Sequence, residues 1–286
     1  MYDAEPTTTH AAMASPWLSE SAFVSGLNAV HDRGYVIIEN AMSLEDCRQY
    51  RDELERHMAQ SPRGRNVFEG TSSHRLYALL AKSETFAAMI EHPLALAFAE
   101  HFLGESCLLS ACLSINLHPG ESVQPWHTDD AHIGVAHPHG IFGVSVFWAL
   151  DETTVLNGAT EVLPYSHRWA DSELQGMLQG MLQDEHFTQT ETVGEDSHGA
   201  LDSVHAAMPA GSIMIMRSDV WHRGGANRSE TDRLIVTPQY CAGWARQLEN
   251  MLLAVPAERA RVLPKRTQEL LGYSIHTPFM GYVDGM

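Results

Sequence analysis

Two short segments of the chain carry side chains that together could hold a metal ion. His127 and Asp129 stand two residues apart in the segment Gln124-Pro-Trp-His-Thr-Asp-Asp. Alternate residues of an extended chain point to the same side, so one imidazole nitrogen and one carboxylate oxygen could meet at one ion. A His-x-Asp pair is common by chance, and Asp130 is a rival carboxylate in the same segment. The pair by itself is a weak signal.

A third ligand is available in the segment Val220-Trp-His-Arg-Gly-Gly. His222 would complete a set of two histidines and one carboxylate. This facial triad leaves adjacent coordination positions open, as non-haem Fe(II) oxygenases require. A closed structural zinc site would leave no such room.

Arg233 stands eleven residues after His222, at the start of a predicted strand. An arginine at the base of a metal pocket can hold a dicarboxylate through its planar fork. Fe(II) beside a keto acid held in this way is the arrangement of 2-oxoglutarate oxygenases. The rival interpretation is an ion pair between Arg233 and a nearby acid such as Asp219 or Asp232.

The elements that must position these side chains are predicted from apolar periodicity. The clearest strand covers 107–118, where Leu109, Ala111, Leu113, Ile115 and Leu117 alternate with smaller or more polar residues and form one apolar face. Further strands are predicted at Tyr35–Ile38, Gly143–Leu150, Glu161–Leu163, Ser212–Met216 and Leu234–Tyr240. Helices are predicted at Leu18–His31, Leu44–Met58, Leu76–Ile90, Pro93–Leu103 and 244–263.

Short strands separated by Pro and Gly turns, without regular βαβ alternation, favour a sandwich or barrel. We expect a flexible N-terminal segment over 1–16 and a single domain over 17–286. Within it, a helical part would run to about 104, the β core from about 105 to 243, and a helical segment over 244–286. The polar insertion 165–205 is a candidate lid.

Charge and composition exclude several classes of partner. Among 286 residues, Lys and Arg number 18 and Asp and Glu 36, a net charge of -18. Nucleic acid and anionic membranes need a basic face, so a small-molecule substrate is expected instead. Four cysteines without a CxxC pair favour a reducing, cytoplasmic location. No apolar run is long enough to span a membrane.

Three blocks in order resemble the phytanoyl-CoA dioxygenase family of Fe(II)/2-oxoglutarate oxygenases. They are the His127 segment, Asn157-Gly-Ala-Thr-Glu-Val-Leu-Pro-Tyr-Ser-His, and Trp221-His-Arg-Gly-Gly-Ala-Asn-Arg-Ser followed by Arg233. Weaker similarity extends from Gly34 to Gly285. The resemblance implies a mainly β fold with flanking helices, whose core is a double-stranded β-helix, the cupin-like jelly roll.

The resemblance also implies roles for individual residues. His127, Asp129 and His222 would bind iron, and Arg233 would hold the distal carboxylate of 2-oxoglutarate. Gln124, Thr160 and Asn116 are further candidate contacts of the co-substrate. Some relatives have a serine two residues after the second histidine; here that position is Gly224. Related halogenases replace the carboxylate ligand by a small residue, so Asp129 favours hydroxylation-type chemistry.

The resulting hypothesis is an oxygenase that uses Fe(II), 2-oxoglutarate and O2 and releases succinate and CO2. Hydroxylation of a small organic molecule is the default reaction, and desaturation or another tailoring step in natural-product biosynthesis uses the same site. A homodimer is plausible by family analogy. The alternatives are a cupin-like metalloenzyme that does not use 2-oxoglutarate and a non-catalytic binding protein. We further expect Arg75 in the substrate wall, a structural role for His167, and a solvated loop carrying His132, His137 and His139.

Overall fold

The computed structural model describes residues 7–59, 61–173, 176 and 203–285. Its strands are β1 (Tyr35–Ile38), β2 (Ser73–Leu76), β3 (Leu108–Leu117), β4 (Gly143–Ala149), β5 (Thr160–Val162), β6 (Val204–His205), β7 (Ile213–Arg217), β8 (His222–Gly224) and β9 (Arg233–Cys241). The α-helices include α1 (Thr8–Ala14), α2 (Glu20–Arg33), α3 (Leu44–Met58), α4 (Leu79–Lys82), α5 (Phe86–Ile90), α6 (Pro93–Leu103), α7 (Met251–Ala254), α8 (Ala257–Ala260) and α9 (Lys265–Leu271).

Two antiparallel sheets form the core of the described residues. The major sheet has the strand order β1-β7-β4-β9-β3-β2, and the minor sheet has the order β6-β5-β8. Strands far apart in sequence are neighbours, so the chain crosses repeatedly between the sheets, as in a jelly roll. The predicted fold class, mainly β with flanking helices around a jelly-roll core, is confirmed.

The major sheet is covered on both faces. Val144, Val146 and Trp148 of β4 belong to the apolar cluster that the helices complete. Phe147, between them in sequence, belongs to the cluster inside the jelly roll. Every residue of β4 is therefore buried. Continuous apolar strands such as this one are typical of sheets buried on both sides.

Strand β3 differs from its prediction for the same reason. The alternation in its sequence predicts one apolar and one polar face, but eight of its ten residues are buried. Leu113 and Ile115 line an internal cavity. Cys112 points the other way and belongs to the cluster completed by the helices. The small side chains on this face of β3 allow the helices of that cluster to pack closely against the strand.

Helix α2 is followed directly by β1, with Gly34 between them. Ser19 caps its first turn by accepting a hydrogen bond from the Ala22 amide. Gly34 ends it at φ +98, in the left-handed region. A Cβ at this position would lie 2.3 Å from Val220 Cγ2, so the close approach of the α2–β1 turn to Val220, between β7 and β8, also requires glycine.

Two predicted helices need correction, and the flexibility predicted for 1–16 stays a prediction. Within that segment, α1 occupies 8–14, capped by Thr7, with His10 and Ala14 buried. The helix expected over 76–90 is split: Leu76 ends β2, and Ala78 at φ +48 separates it from α4. The expected helix over 244–263 is reduced to the two short helices α7 and α8, because Pro256 lacks an amide donor and interrupts the segment.

The predicted domain boundaries stay a prediction. Strands β1 and β2 belong to the major sheet although they lie before residue 105. Most of the candidate lid, 165–205, lies outside the described residues. Among the described residues, no helix is long and apolar enough to cross a membrane.

Candidate functional site

A cavity of about 530 Å³ opens into the jelly roll and collects most of the predicted site residues. His127, Asp129, His222 and Arg233 all line it, together with Gln124 and Thr160. Strands β3 and β9 supply one wall, through Ala111, Leu113, Ile115 and Leu117 on β3 and Arg233, Ile235, Thr237 and Gln239 on β9. These residues alternate along their strands, as side chains on one face of a sheet must.

The two histidines are brought together by backbone pairing between segments almost a hundred residues apart. The His127 amide donates to the His222 carbonyl at 3.0 Å, and the His222 amide donates to the His127 carbonyl at 2.9 Å. Asp129 Oδ1 lies 3.7 Å from His222 Nε2 and 4.0 Å from His127 Nε2. The three side chains therefore converge on one point and could hold one metal ion.

Hydrogen bonds made by Nδ1 of His127 and His222 orient the Nε2 atoms that could bind a metal. Nδ1 of His127 donates to the Pro125 carbonyl and Nδ1 of His222 to the Val220 carbonyl, both at 3.0 Å. Because Nδ1 carries the proton, Nε2 has its lone pair free for a metal. Burial and the adjacent imidazole of His222 lower the pKa of His127 to about 4, which keeps its ring neutral at pH 7.

The carboxylate of Asp129 is held in the same way. Ser145 Oγ donates to Asp129 Oδ2, and the Asp129 amide donates to the Ser218 carbonyl at 2.9 Å. The other carboxylate oxygen of Asp129, Oδ1, faces the two histidines. Two imidazole nitrogens and one carboxylate oxygen suit Fe(II), and three ligands on one side leave room for more. The residues present fit the metal that the resemblance implies.

Arg233 is a buried cation that forms no ion pair with any residue that the structure describes. Its exposed fraction is 2%. Nη2 donates to the Gly158 carbonyl at 2.8 Å, while Nε is buried without a partner. Burial lowers the pKa of Arg233 to about 10. The guanidinium stays charged at pH 7 and is ready to pair with a carboxylate that enters the cavity.

The ion pairs considered for Arg233 in the sequence are not formed. Asp219 instead pairs with Arg217, at 2.6 Å. Asp232 lies against His118, at 2.8 Å. In the described part of the chain, no carboxylate stands within ion-pair distance of Arg233.

The Asn157-Gly158 turn lets the backbone approach Arg233. Gly158 adopts φ +87, and a Cβ there would lie 2.5 Å from Leu117 Cδ2. Two residues later, Thr160 begins β5, which pairs with Gly224 of β8. Thr160 thus lines the cavity on the minor-sheet side, as the resemblance led us to expect of a residue near the co-substrate.

Gln124 and Asn116 have different positions. Gln124 lines the cavity, but its amide is occupied: Nε2 donates to the Phe68 carbonyl at 2.9 Å and Oε1 accepts from the Gly224 amide at 3.0 Å. Asn116 stands on the opposite face of β3 from the cavity wall and donates to Asp232 Oδ2 at 3.2 Å. The expected contact of Asn116 with the co-substrate therefore has no support in this geometry.

Two residues around the metal ligands were missed in the sequence. Ser145 is the only hydroxyl-bearing residue of β4, and this polar position in an apolar strand is the signal that could have identified it. Phe68 packs edge-on against His127, with ring centroids 4.8 Å apart. It comes from the segment 61–72 before β2, whose sequence carries no periodic signal.

The four other histidines named in the sequence analysis lie in three environments. His132 lines the cavity. His137 and His139 point away from it, toward Asp130, so that Asp130 is not part of the His127 group. His167 lies in contact with the His31 carbonyl, at 3.2 Å, and is 3% exposed, a structural position.

Several known proteins are similar to this chain in sequence or in structure. A dioxygenase of Aspergillus fumigatus, af480, is 27% identical over 259 residues, covering 88% of this chain and 76% of its own. Dioxygenase cnsJ of Penicillium expansum is 26% identical, covering 90% and 78%. Among solved structures, the non-haem α-ketoglutarate-dependent epimerase SnoN from nogalamycin biosynthesis has a TM-score of 0.61 at 19% identity, covering 78% and 83%. The carbocyclase SnoK has a TM-score of 0.57 at 16% identity, covering 84% and 87%.

The model of the family described as phytanoyl-CoA dioxygenase (PhyH) matches residues 30–235, which include all three possible metal ligands and Arg233. The chain therefore belongs to the phytanoyl-CoA dioxygenase family and is an Fe(II)- and 2-oxoglutarate-dependent dioxygenase.

Proposed function

We propose that this dioxygenase oxidises an unactivated C–H bond of a small organic molecule, by hydroxylation in the default case, in the biosynthesis of a natural product. The observation that carries the proposal is the pairing of two features in one cavity. A His-Asp-His group faces open space, and the same cavity is lined by a buried arginine for which the described part of the chain supplies no counter-ion.

The proposed roles follow from the contacts. His127 Nε2, Asp129 Oδ1 and His222 Nε2 bind Fe(II). When bound, Fe(II) supplies the activation of O2 that oxidises the substrate and converts 2-oxoglutarate to succinate and CO2. Arg233 holds the distal carboxylate of 2-oxoglutarate, and Thr160 lies on the opposite wall. No side chain is needed as a general base.

The cavity wall supports a largely apolar substrate. Leu113, Ile115, Ile235 and Phe147 line it, and such side chains exclude water from the reacting centre. Its volume is within the range of pockets for small molecules. The related structure of SnoN was obtained with Fe3+, α-ketoglutarate and nogalamycin RO, a precedent for a small-molecule ligand in this fold.

Arg75 is the proposed polar contact of the substrate. It lines the cavity, and its Nε and Nη2 donate to the carbonyls of Glu69 at 2.8 Å and Phe68 at 3.1 Å. Burial lowers its pKa, but the group stays charged at pH 7. We expect Arg75→Ala to raise the substrate KM and to leave the affinity for 2-oxoglutarate unchanged; an unchanged KM would contradict this role.

The test of the function is O2-dependent conversion of 2-oxoglutarate to succinate by protein loaded anaerobically with Fe(II), against a panel of candidate small molecules. Wild type should turn over, Asp129→Ala should be inactive, and Arg233→Ala should be strongly weakened. Asp52→Ala, an exposed carboxylate on α3, is the control and should match wild type. Product analysis by mass spectrometry would separate a gain of oxygen from a loss of two hydrogens.

The two rival functions predict different results. A cupin-like enzyme that does not use 2-oxoglutarate would bind metal but not the keto acid. A binding protein would show neither turnover nor stoichiometric iron after anaerobic purification. The homodimer and the cytoplasmic location stay predictions; size-exclusion chromatography with light scattering tests the first.

A further inference from the structure

A second group of potential metal ligands lies beside the first. Asp130, His137 and His139 each offer one ligand atom, and these atoms lie within 4.8 Å of one another. His139 Nε2 is 3.8 Å from Asp130 Oδ2. The exposed fractions of the three side chains are 3%, 9% and 6%. The cluster is thus as buried as the iron-site residues, although the proposed reaction does not use it.

The cluster leaves buried polar atoms without partners. Among the described residues, both carboxylate oxygens of Asp130 are buried and accept no hydrogen bond, and Nε2 of His137 is buried without a partner. A buried carboxylate is costly unless it is paired with a cation or hydrogen-bonded. A cation between these atoms would satisfy all of them at once.

Hydrogen bonds hold both imidazoles in the orientation that metal binding needs. Nδ1 of His137 lies 2.9 Å from Asp171 Oδ1. Nδ1 of His139 lies 2.7 Å from the Gly140 carbonyl. In each case the acceptor keeps the proton on Nδ1 and leaves the Nε2 lone pair free, and Nε2 of His139 lies 3.8 Å from Asp130 Oδ2. Carboxylate and carbonyl partners of this kind accompany most metal-binding histidines, and His127 and His222 of the iron site are held in the same way.

The charge around the cluster also favours a dication. Asp219 Oδ2 lies 3.9 Å from His139 Nδ1, and Asp219 is neutralised by Arg217. The carboxylates of Asp130 and Asp171 remain, one facing the centre and one behind His137. Two negative charges beside two imidazoles match one divalent ion.

We propose that Asp130, His137 and His139 form a second metal site that binds Zn(II), with water completing its coordination. Imidazole and carboxylate are both ordinary zinc ligands, and bonds of about 2.0–2.2 Å put neighbouring ligand atoms roughly 3.3–3.5 Å apart. The distance between His139 and Asp130 therefore needs to shorten by only a few tenths of an ångström. The ion joins Asp130 to the segment 137–139 and closes the loop that places His132 in the cavity wall.

The test separates the two metal sites. In the His127→Ala/His222→Ala variant, which lacks the iron site, we expect about one equivalent of zinc after equilibrium dialysis, measured by mass spectrometry of the metal. Zinc at roughly 100 times its Kd should raise the Tm of this variant by about 5–10 °C. Adding His137→Ala and His139→Ala should abolish both effects. Cobalt(II) in place of zinc should show the visible absorption of a tetrahedral site.

The controls keep the proposal falsifiable. His31→Ala removes an exposed histidine that pairs with Asp32 at 3.0 Å, a His-Asp pair without further ligands, and should change nothing. Asp130→Asn and His137→Gln preserve size if the alanine variants fail to fold, which far-UV circular dichroism would show. Zinc absent from the iron-site variant, or retained after substitution of His137 and His139, overturns the second site. Neither result depends on turnover, so this proposal and the proposed function fail separately.

Discussion

Replacement of Arg233 by methionine should stabilise the ligand-free protein while it removes 2-oxoglutarate binding. The pKa of Arg233 falls from its usual 12.5 to about 10 because the guanidinium is buried. Each pKa unit corresponds to about 1.4 kcal/mol, so the charged group costs the empty fold about 3 kcal/mol. Methionine has a similar length and carries no charge, and it loses the hydrogen bond to the Gly158 carbonyl, about 1 kcal/mol. The net gain is about 2 kcal/mol.

Differential scanning calorimetry measures both consequences. The metal-free, ligand-free variant should melt about 4–8 °C above wild type, since 1 kcal/mol shifts the Tm of a chain of this size by roughly 2–4 °C. Under anaerobic conditions with Fe(II), 2-oxoglutarate should raise the Tm of wild type but not that of Arg233→Met. Loss of a buried charged partner costs about 2–5 kcal/mol, which corresponds to a Kd at least about 30-fold weaker.

A second buried arginine serves as the matched control. Arg217 is 6% exposed, like Arg233, but it is paired with Asp219. Arg217→Met leaves Asp219 buried without its partner and should destabilise the protein by about 3–5 kcal/mol. The reasoning is refuted if ligand-free Arg233→Met melts at or below wild type, or if it keeps the wild-type increase in Tm with 2-oxoglutarate.

Three further predictions follow from other contacts. Ser145→Ala removes the hydroxyl that donates to Asp129 and should weaken Fe(II) binding about 10–100-fold in a metal-competition assay; unchanged affinity would show that the contact is dispensable. Gly158→Ala should lower both the Tm and the affinity for 2-oxoglutarate, because its Cβ would meet Leu117 and the Gly225 carbonyl. The control Gly104→Ala has a similar φ but lies in open space, so it should lower the Tm less and leave the affinity unchanged. Burial lowers the pKa of His92, His101 and His167 to about 4. Below pH 6.5 the unfolded chain therefore binds protons that the folded chain does not, and the Tm should fall as the pH decreases from 6.5 to 5. A flat Tm over this range would contradict the burial of these rings.

The sequence alone was sufficient for the elements with strong local periodicity and for the metal motif. Several elements lie close to their predicted positions: strands β1, β4, β7 and β9 and helices α2, α3 and α6. They could be predicted because the spacing of apolar residues along a buried strand or an amphipathic helix reveals the type of element. His127, Asp129, His222 and Arg233 were found because each stands in a recognisable short segment. Their assembly in one cavity was an inference from the resemblance.

The tertiary structure decided which face of each element is covered and what each polar group contacts. The sequence of β3 could not show that Asn116 faces away from the cavity, because both faces are buried by segments far along the chain. Strand β2 forms in a segment for which no strand was predicted, because it pairs with β3. The helix predicted over 76–90 is divided into α4 and α5. Contacts between distant segments or exact backbone turns decide three further features. These are the packing of Phe68 against His127, the hydrogen bonds that fix each histidine, and the cluster of Asp130 with His137 and His139. Residue type and spacing determine which chemistry is possible, whereas the position and partners of each donor atom are set only when distant segments pack together.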